Sequence, residues 1–405
     1  MSDAAGTPPA GPGVTGAGAS ASGRGLVRRR RRRWVRAGAL AAGALVLAAA
    51  GAGWVVYAEL DGNITADGEA ARELARYEEE RPTSLVKDAQ NLLLIGSDSR
   101  AGDGNRAYGR DPGTERSDTT ILLHLAAGRH SATAVSLPRD LMVDVPGCLG
   151  RDGTRTEPTS TMLNYAFEKG GSACAIRTVE KLTGIRIDHH VVVDFSGFKK
   201  MVDAVDGVEI CLTEPIHDKA ARLRLPAGRV KLNGEQALGY VRARKSLGDG
   251  SDTDRMDRQQ RFLGALVDKV RGNGVLLNPV KLDPVLDAAT SSLTTDPSLA
   301  SLRGLYAFVR GLRDIPTERV QFLTVPREPY ARDADRDQLA EPAARELFAR
   351  LRTDRPVTVA RETPRDPAAR GGAGEEPSDR AEPGGTGPSP APTFRGNTAA
   401  EHACG

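Results

Sequence analysis

At 405 residues with 39% hydrophobic content, the chain is long enough to bury a large core, but its two ends lack the apolar residues that folding requires. The formal net charge is +3. Residues 1–57 carry eight arginines against one acid, a net charge of +7, which leaves −4 for residues 58–405. This excludes a broad basic surface on the larger part of the chain, so any anion site there must be local, and no nucleic acid partner is expected.

The N-terminal region has the pattern of a membrane anchor. Residues 1–36 are mostly small residues followed by a basic run, and we predict a disordered cytoplasmic segment. Residues 37–57 carry no charge, and as a helix they would cover about 31 Å, close to the thickness of a bilayer core of about 30 Å. We therefore predict one transmembrane helix, with the arginines inside the cell and the rest of the chain outside. Cleavage by signal peptidase at residues 48–50 is an alternative that would export the same domain.

Three segments follow the predicted span. Residues 58–87 are polar and are predicted to form a juxtamembrane stalk, residues 88–360 an extracytoplasmic domain, and residues 361–405 a disordered tail rich in Pro and Gly. Strand and helix patterns alternate within the domain, which predicts an α/β fold with a central sheet flanked by helices on both faces. The strands predicted at 119–126 and 132–137 look like a hairpin, so the sheet should be mixed.

The predicted elements of the domain follow from apolar periodicity. The strands are expected at 91–96, 119–126, 132–137, 190–195, 208–212 and 320–325. The helices are expected at 162–169, 174–183, 197–204, 234–243, 252–271 and 297–313. A start for the helix at 252 is indicated by Ser251 followed three residues later by Asp254, which resembles a capping box.

Charged side chains collect at the ends of three of these strands, and they predict one shared site. The acids and bases at these ends are Asp98, Arg100, Arg116, Asp118, Arg139 and Asp140. A second group lies near the end of helix 234–243 and the start of helix 252–271, and consists of Arg242, Arg244, Asp252, Arg255, Arg258, Gln259 and Arg261. Each motif alone is more often a salt bridge or a solvated helix face, but their joint occurrence favours a site.

This mixture of charges indicates a phosphorylated ligand. The guanidinium group matches phosphate with two hydrogen bonds and stays charged at any relevant pH. Carboxylates would repel phosphate unless a hard cation lay between them. Because Mg²⁺ takes one or two carboxylates together with phosphate oxygens, Asp98 and Asp118 are predicted to hold Mg²⁺, or Mn²⁺ in its place. The pattern therefore predicts a pyrophosphate held by arginines and a divalent cation.

The cysteines fit an oxidising compartment. A bridge between Cys148 and Cys174 would close a loop of about 27 residues and stabilise the fold by roughly 3 kcal/mol. Cys211 lies in an apolar strand and is predicted to be a buried small residue, whereas Cys404 lies in the tail. No Cys-x-x-Cys pair or histidine cluster indicates zinc. We interpret His124, His189, His190 and His217 as structural or surface residues.

At this point the motifs resemble those of the LytR-CpsA-Psr family, whose members attach glycopolymers to bacterial cell walls. The resemblance covers residues 88–275. It rests on NLLLIGSDSR, RSDTTILLHL, AVSLPRDLMVDVPG, LNYAFEKGG, VDFSGFKKMVDAVDGVEICL, LNGEQALGYVRARK and SDTDRMDRQQRFL, in that order. The high content of Arg, Ala and Gly, with the paired Cys148 and Cys174, looks like actinobacterial members.

The resemblance implies a role for each matching residue. Asp98 and Asp118 would serve the metal, and Arg116, Arg139 and Asp140 would complete the catalytic group. Pyrophosphate would be bound by Arg116, Arg139, Arg242, Arg244, Arg255 and Gln259, with Arg100, Asp252 and Arg258 in support. Family members also hold a polyprenyl chain in an apolar cavity. The candidate lining residues, each of which could equally belong to an ordinary core, are Leu141, Val193, Phe195, Phe198, Met201, Val205 and Phe262.

The implied reaction is a phosphoryl transfer to peptidoglycan. A wall hydroxyl, the muramic acid 6-OH, would attack the sugar-side phosphorus of a polyprenyl-pyrophosphate-linked glycan donor, and polyprenyl phosphate would leave. Asp98, Asp118 and Asp140 are alternative bases. Two other functions remain open: a pyrophosphatase of the same lipid-linked intermediates, and a non-enzymatic membrane protein that binds the wall or regulates its synthesis.

Overall fold

The computed structural model describes residues 23–98, 115–219, 221–243, 252–272, 279–360 and 392–401. The chain divides into two compact units, Met1–Ala58 and Glu59–Gly405. The helices are α1 (Gly23–Asn63), α2 (Gly68–Arg76), α3 (Leu163–Thr183), α4 (Phe195–Ala204), α5 (Gly234–Arg242), α6 (Asp252–Gly272), α7 (Pro279–Thr290), α8 (Leu302–Arg313) and α9 (Ala343–Arg352).

The strands alternate with these helices along the second unit. In the first half they are β1 (Thr65–Ala66), β2 (Gln90–Ser97), β3 (Ser117–Leu125), β4 (Ala132–Leu137), β5 (Met142–Val145), β6 (Thr159–Met162), β7 (His189–Val193) and β8 (Val208–Leu212). In the second half they are β9 (Ile216–Asp218), β10 (Leu223–Leu225), β11 (Gly228–Leu232), β12 (Leu293–Thr295), β13 (Val320–Thr324), β14 (Arg327–Tyr330), β15 (Asp333–Leu339), β16 (Thr358–Ala360) and β17 (Thr393–Thr398).

The first unit contains most of α1. Within this helix, Ala42–Asn63 is long and apolar enough to cross a membrane, judged by its length of 22 residues and its mean hydropathy of 1.5. This agrees with the apolar segment predicted at 37–57. The prediction of disorder up to residue 36 is wrong for residues 23–36, which are helical. Extending a helix costs far less than nucleating one, and arginine is a good helix former, so the basic run continues the apolar helix.

The second unit is built on a nine-stranded mixed sheet in the order β1-β12-β7-β2-β3-β4-β13-β17-β16. Strands β2, β3 and β4 are antiparallel neighbours, whereas β7 runs parallel to β2 and β13 runs parallel to β4. Helices α2, α3 and α9 pack on one face. Helices α6 and α8 pack on the other. The predicted α/β fold, with a mixed sheet and helices on both faces, is confirmed.

Beside the sheet lies a smaller apolar cluster, formed by helices α4, α5 and α6 and the hairpins of β8 to β11. The predicted helices 162–169 and 174–183 correspond to the two halves of α3, which is interrupted at Gly170 and Gly171. The predicted strand 208–212 is β8, which pairs with β11 outside the central sheet. These elements carry the second group of predicted site residues to the side of the sheet.

The segment predicted as a stalk is part of the folded domain. Strand β1 pairs with β12 at the edge of the sheet, and Ala70 and Leu74 of α2 are buried in the main core. Arg81 forms a bidentate pair with the buried Glu180, at 2.9 Å from its Nε and 2.7 Å from its Nη2. The prediction for residues 58–87 was wrong because α2 presents a short apolar stripe, Ala70 and Leu74 one turn apart, within a polar sequence.

The tail also contributes to the sheet. Strand β17 lies between β13 and β16, and the side chain of its Phe394 is buried in the main core. Gly396 is required there because a side chain would collide with the carbonyl oxygen of Phe322 on β13. The prediction of a disordered tail over 361–405 is therefore wrong at 393–398, where tertiary strand pairing offsets the weak local signal.

A disulfide joins Cys148, which follows β5, to Cys174 in α3, with 5.6 Å between their Cα atoms. The predicted pairing is confirmed. Gly170 makes it possible, since a Cβ there would lie 2.7 Å from Cys174 Cβ and 3.0 Å from Cys148 Cβ. Cys211 differs from its prediction as a buried small residue: it is half-buried and disulfide-bonded.

Candidate active site

Strand directions bring the first group of predicted residues to one edge of the sheet. The carboxyl ends of β2 and β4 and the amino end of β3 meet there because the three strands are antiparallel neighbours. We call this the Asp98 edge, and it comprises Asp98, Arg116, Asp118, Arg139 and Asp140. The parallel neighbours β7 and β13 end at the same edge. Such strand ends are where ligands commonly bind in α/β sheets.

Arg139 is held at this edge by two carboxylates. Its Nη1 donates to Asp118 Oδ1 at 3.0 Å, and its Nε donates to Asp140 Oδ2 at 3.1 Å. The three side chains are 22%, 33% and 24% exposed, so they are partly shielded while one side still faces solvent. A guanidinium group oriented in this way has little rotamer freedom left to lose when it binds an anion.

Asp98 and Arg116 face each other across the ends of β2 and β3. The Arg116 amide donates to Asp98 Oδ1 at 2.6 Å, and the Asp98 amide donates to the Arg116 carbonyl at 2.9 Å. The Arg116 side chain extends to α3, where its Nε donates to Glu168 Oε2 at 2.8 Å. It remains 55% exposed. Glu168 lies in the motif LNYAFEKGG and fixes the direction of Arg116, although the sequence alone predicted no role for it.

The second group reaches the site from α5 and α6. Arg242, the last residue of α5, stacks on the ring of Phe195, the first residue of α4, at 4.4 Å from the ring centroid. Gln259 Nε2 donates to the carbonyl of Val241 at 3.3 Å, and the buried Arg258 donates to the carbonyl of Ala243. Gln259 and Arg258 therefore hold the end of α5, whereas the prediction placed Gln259 on pyrophosphate.

The remaining members of this group differ in burial. Arg255 is buried at 6% exposure. Burial also lowers the pKa of the Arg258 guanidinium, although it remains a strong base. Arg261 is exposed on α6. Arg100 and Arg244, both predicted to contact or support the phosphates, lie outside the described residues, as does the side chain of Asp252.

Arg327 is a further arginine at this edge that the sequence analysis missed. It begins β14, just after β13, and donates to Asp337 and to the hydroxyl of Thr253 in the first turn of α6. The amide of Asp337 in turn donates to the carbonyl of Asp140 at 3.3 Å. The same reasoning that identified charged residues at the ends of β2 and β4 would have found Arg327 if applied to the predicted strand 320–325.

The carboxylates fit a cation that needs few protein ligands. Among the described residues, no group of three or more His, Cys, Asp or Glu side chains is arranged to hold a metal ion. Asp98 directly follows β2, Asp118 lies at the start of the neighbouring strand β3, and both are only partly buried. A hard cation such as Mg²⁺ commonly uses one or two carboxylates and takes its other ligands from phosphate and water. The two carboxylates therefore fit Mg²⁺ that takes its remaining ligands from phosphate and water.

The seven residues predicted to line one lipid cavity are divided among several packing environments. Phe198 and Phe262 pack with ring centroids 5.4 Å apart in the cluster beside the sheet, which also includes Val205. Val193 packs in a different cluster, on the α8 face. Leu141 is fully buried on the α3 face. Phe195 underlies Arg242, and Met201 is half-buried on α4.

Comparison with known proteins identifies the family to which the chain belongs. The model of the LytR_cpsA_psr family matches residues 60–353, well over half of the chain. The chain belongs to the LytR_cpsA_psr family. The match begins within the segment predicted as a stalk and extends past residue 275, in agreement with the folded domain of the structure.

Curated members of the LytR_cpsA_psr family are similar over part of their length. The probable cell wall biosynthesis protein LcpB of Corynebacterium glutamicum is 40% identical over 50% of this chain and 47% of its own length. LcpA of the same organism is 32% identical over 70% and 58%. TagV of Bacillus subtilis is 30% identical over 52% and 51%. The chain thus spans about half to three fifths of these relatives.

Solved structures of LytR_cpsA_psr proteins share the fold. An enzyme from Actinomyces oris aligns with a TM-score of 0.52 and 22% identity, covering 67% of this chain and 93% of its own. Bacillus subtilis TagV aligns with a TM-score of 0.52 and 23% identity, covering 67% and 100%. At this level of identity the likeness establishes the fold alone.

Proposed function

We propose that the protein is a phosphotransferase that moves a glycopolymer from a polyprenyl pyrophosphate carrier to peptidoglycan. The observation that carries this proposal is the position of Arg139, fixed between Asp118 and Asp140 beside Arg116 at the Asp98 edge. The names of relatives support it. TagV and TagT of Bacillus subtilis are named polyisoprenyl-teichoic acid–peptidoglycan teichoic acid transferases, and LcpA is named a cell wall biosynthesis protein.

The N-terminal helix would hold the enzyme at the membrane that contains its lipid-linked donor. We place the N-terminus in the cytoplasm, because basic residues immediately before an apolar span are retained there, and the folded unit on the outer side. A lipid-linked donor is confined to the same membrane. Anchoring the enzyme beside it converts a search through volume into a search within a plane, which raises the effective concentration of the donor at the site.

In the proposed reaction, one phosphorus–oxygen bond forms and one breaks. The hydroxyl oxygen of the peptidoglycan acceptor attacks the sugar-side phosphorus of the pyrophosphate. The bond from this phosphorus to the bridging oxygen breaks, its electron pair leaves with polyprenyl phosphate, and the hydroxyl proton passes to a carboxylate of the Asp98 edge. Asp98, Asp118 and Asp140 are the candidate acceptors of this proton. The glycan ends attached to the wall through a phosphodiester.

The arginines lower the barrier by electrostatics and positioning. The guanidinium groups of Arg116, Arg139 and Arg242 would neutralise charge on the pyrophosphate oxygens as the bridging bond breaks. Asp118 and Asp140 fix Arg139, and Glu168 fixes Arg116, so little reorganisation is needed. Asp98 and Asp118 would hold Mg²⁺, which when bound supplies additional positive charge at the phosphates.

Purified full-length chain in detergent tests this proposal. It is given a polyprenyl-pyrophosphate-linked glycan and Mg²⁺, with and without peptidoglycan, and both free polyprenyl phosphate and wall-bound glycan are measured. We expect polyprenyl phosphate release to depend on peptidoglycan and to match the glycan attached. Release at the same rate without an acceptor would instead indicate a pyrophosphatase.

Two variants separate enzymatic from non-enzymatic function. Asp118→Ala and Arg139→Ala remove one partner each from the Asp98 edge, and we expect both to abolish most transfer and to fail to complement loss of the natural gene. A matched control is Arg303→Gln, an exposed arginine on α8 remote from this edge. Full activity and complementation in both site variants would contradict the enzyme proposal.

A further inference from the structure

The sheet carries a second polar site at the edge opposite the Asp98 edge. On four neighbouring strands, Asn91 lies opposite His124, His124 opposite Thr133, and Thr133 opposite Gln321. We call this the His124 edge. The corresponding row two residues further along the same face is apolar and fully buried, and consists of Leu93, Leu122, Val135 and Leu323. Buried polar side chains need hydrogen-bond partners, so the polar row beside this core must be satisfied by neighbouring residues or by a ligand.

A cavity of about 260 Å³ opens on this row. His124, Thr133 and Gln321 lie along the sheet side of the cavity, and the segment after α9 covers it with Asp354. Two exposed arginines, Arg319 before β13 and Arg355 after α9, stand at its rim. Arg139 lies six residues after Thr133, at a distance of about 20 Å along an extended chain. The cavity is therefore separate from the Asp98 edge.

One wall of the cavity is rigid. His124 is only 5% exposed, and its ring lies between Asn91 Oδ1, 2.8 Å from Nδ1, and Asp354 Oδ1, 3.0 Å from Nε2. The second oxygen of Asp354 accepts from the Ala127 amide at 3.1 Å. These bonds connect β2, β3 and the end of α9. The polar groups of this wall are thus held before any ligand arrives.

The other wall and the rim retain unused hydrogen-bonding groups. Within the described parts of the chain, the side chains of Thr133, Gln321, Arg319 and Arg355 form no hydrogen bond or ion pair. This differs from the Asp98 edge, where Arg116 and Arg139 are each paired with carboxylates. A concave site with two guanidinium groups, a hydroxyl and an amide available offers charge to an anion and hydrogen bonds to hydroxyl groups.

We propose that this cavity binds one unit of an anionic saccharide, a sugar that carries a phosphate or a carboxylate. Its volume lies just below the range of about 300 to 1,000 Å³ typical of drug-sized ligands, so it suits a single sugar unit. Arg319 and Arg355 bind the anionic group, and Thr133 and Gln321 bind the sugar hydroxyls. The source of this unit rests on the proposed function: the phosphate-containing glycopolymer or the carboxylate-containing peptidoglycan.

Calorimetric titration of the full-length chain in detergent tests the inference. The probes are glucose 1-phosphate, N-acetylmuramic acid, inorganic phosphate and glucose. We expect saturable binding of at least one anionic sugar, weakened at least tenfold in Arg319→Gln/Arg355→Gln. The control Arg303→Gln/Arg313→Gln removes the same charge from the exposed side of α8 and should bind as the unmodified chain does. Tighter binding of the phosphate sugar indicates the glycopolymer as source, and tighter binding of the carboxylate sugar indicates peptidoglycan.

Three results would overturn the inference. These are no saturable binding of either anionic sugar, equal binding in the Arg319→Gln/Arg355→Gln variant, and binding of inorganic phosphate as tight as that of the sugars. Transfer activity is assayed on the same preparations. Sugar binding at the His124 edge without transfer would contradict the proposed function alone, and transfer without sugar binding would contradict this inference alone.

Discussion

The two edges of the central sheet use arginine in opposite ways. At the Asp98 edge, Arg139 is fixed by Asp118 and Asp140, and Arg116 is fixed by Glu168. At the His124 edge the wall formed by Asn91, His124 and Asp354 is fixed, whereas Arg319 and Arg355 form no hydrogen bond or ion pair with any residue the structure describes. Catalysis requires charged groups that are held in place before the transition state forms. A subsite that only binds a ligand can instead use hydrogen-bond donors that have no partner within the protein.

The largest effect is expected on substitution of Arg139, the arginine paired with Asp118 and Asp140. Arg139→Ala removes the guanidinium group that would stabilise charge in the transition state, and we expect kcat for glycan transfer to fall by about 10² to 10³-fold, as when one such donor is lost elsewhere. Initial rates of wall-bound glycan formation measure this. Circular dichroism should show an unchanged fold. A decrease of less than threefold would place the reaction away from the Asp98 edge.

Removing the Cys148–Cys174 disulfide tests whether the elements that support the Asp98 edge need a covalent link for their stability. It links the segment that follows Asp140 and β5 to α3, which carries Glu168. For a loop of this length, Cys148→Ser/Cys174→Ser should lower the free energy of unfolding by roughly 3 kcal/mol. Thermal and urea unfolding of the full chain in detergent measure the change. Unfolding that is unaltered by the double substitution would show that packing on α3 suffices.

Low pH should destabilise the fold through two carboxylates, Asp67 and Asp296, which lie near the start of β7 at the His124 edge. Burial alone would raise the pKa of Asp67, but hydrogen bonds from His190, the Ala70 amide and Ser172 outweigh it and lower the pKa from 3.8 to about 2. Burial likewise opposes the hydrogen bonds of Asp296 with His189 and Ser298, which lower its pKa to about 2. Asp67 follows β1 and Asp296 follows β12, and both contact His190 of β7, which is buried.

A carboxyl group with a lowered pKa stabilises the fold above its unfolded pKa and loses this effect as the pH falls. We therefore expect each of the two groups to contribute about 2 kcal/mol above pH 3.8 and to lose it between pH 3.8 and about 2. Urea unfolding across this range measures the slope. Asp67→Asn should reduce the slope, whereas Glu69→Gln, a neighbouring exposed acid, should leave it unchanged.

The smallest effect concerns Glu168, which contacts Arg116 and is not expected to contact substrate. Glu168→Gln keeps the size of the side chain but weakens its hold on the guanidinium group, and we expect kcat/KM to fall about tenfold, equivalent to about 1.4 kcal/mol. Glu168→Asp should recover less than half of this loss because its carboxylate is shorter. A Glu168→Gln variant with unchanged kcat and KM would show that Arg116 is positioned by the backbone alone.

Much of the Asp98 edge was predictable because strand ends and charges coincide in the sequence. Asp98, Arg116 and Arg139 each lie within two residues of an apolar strand, and antiparallel neighbours place such ends together. Arg327 follows the same rule and was overlooked. Glu168 could not be assigned, because its contact with Arg116 depends on the angle at which α3 crosses the sheet.

Local pattern alone was sufficient to predict the apolar N-terminal helix, the alternation of strands and helices, the Cys148–Cys174 pair and the charged strand ends, since each depends on spacing along the chain. Only the tertiary structure showed that the supposed stalk and part of the tail join the sheet, because β1 and β17 are stabilised by partners more than 70 residues away. The same holds for the His124 edge. Its polar row exists only across four strands, and no single stretch of sequence contains it.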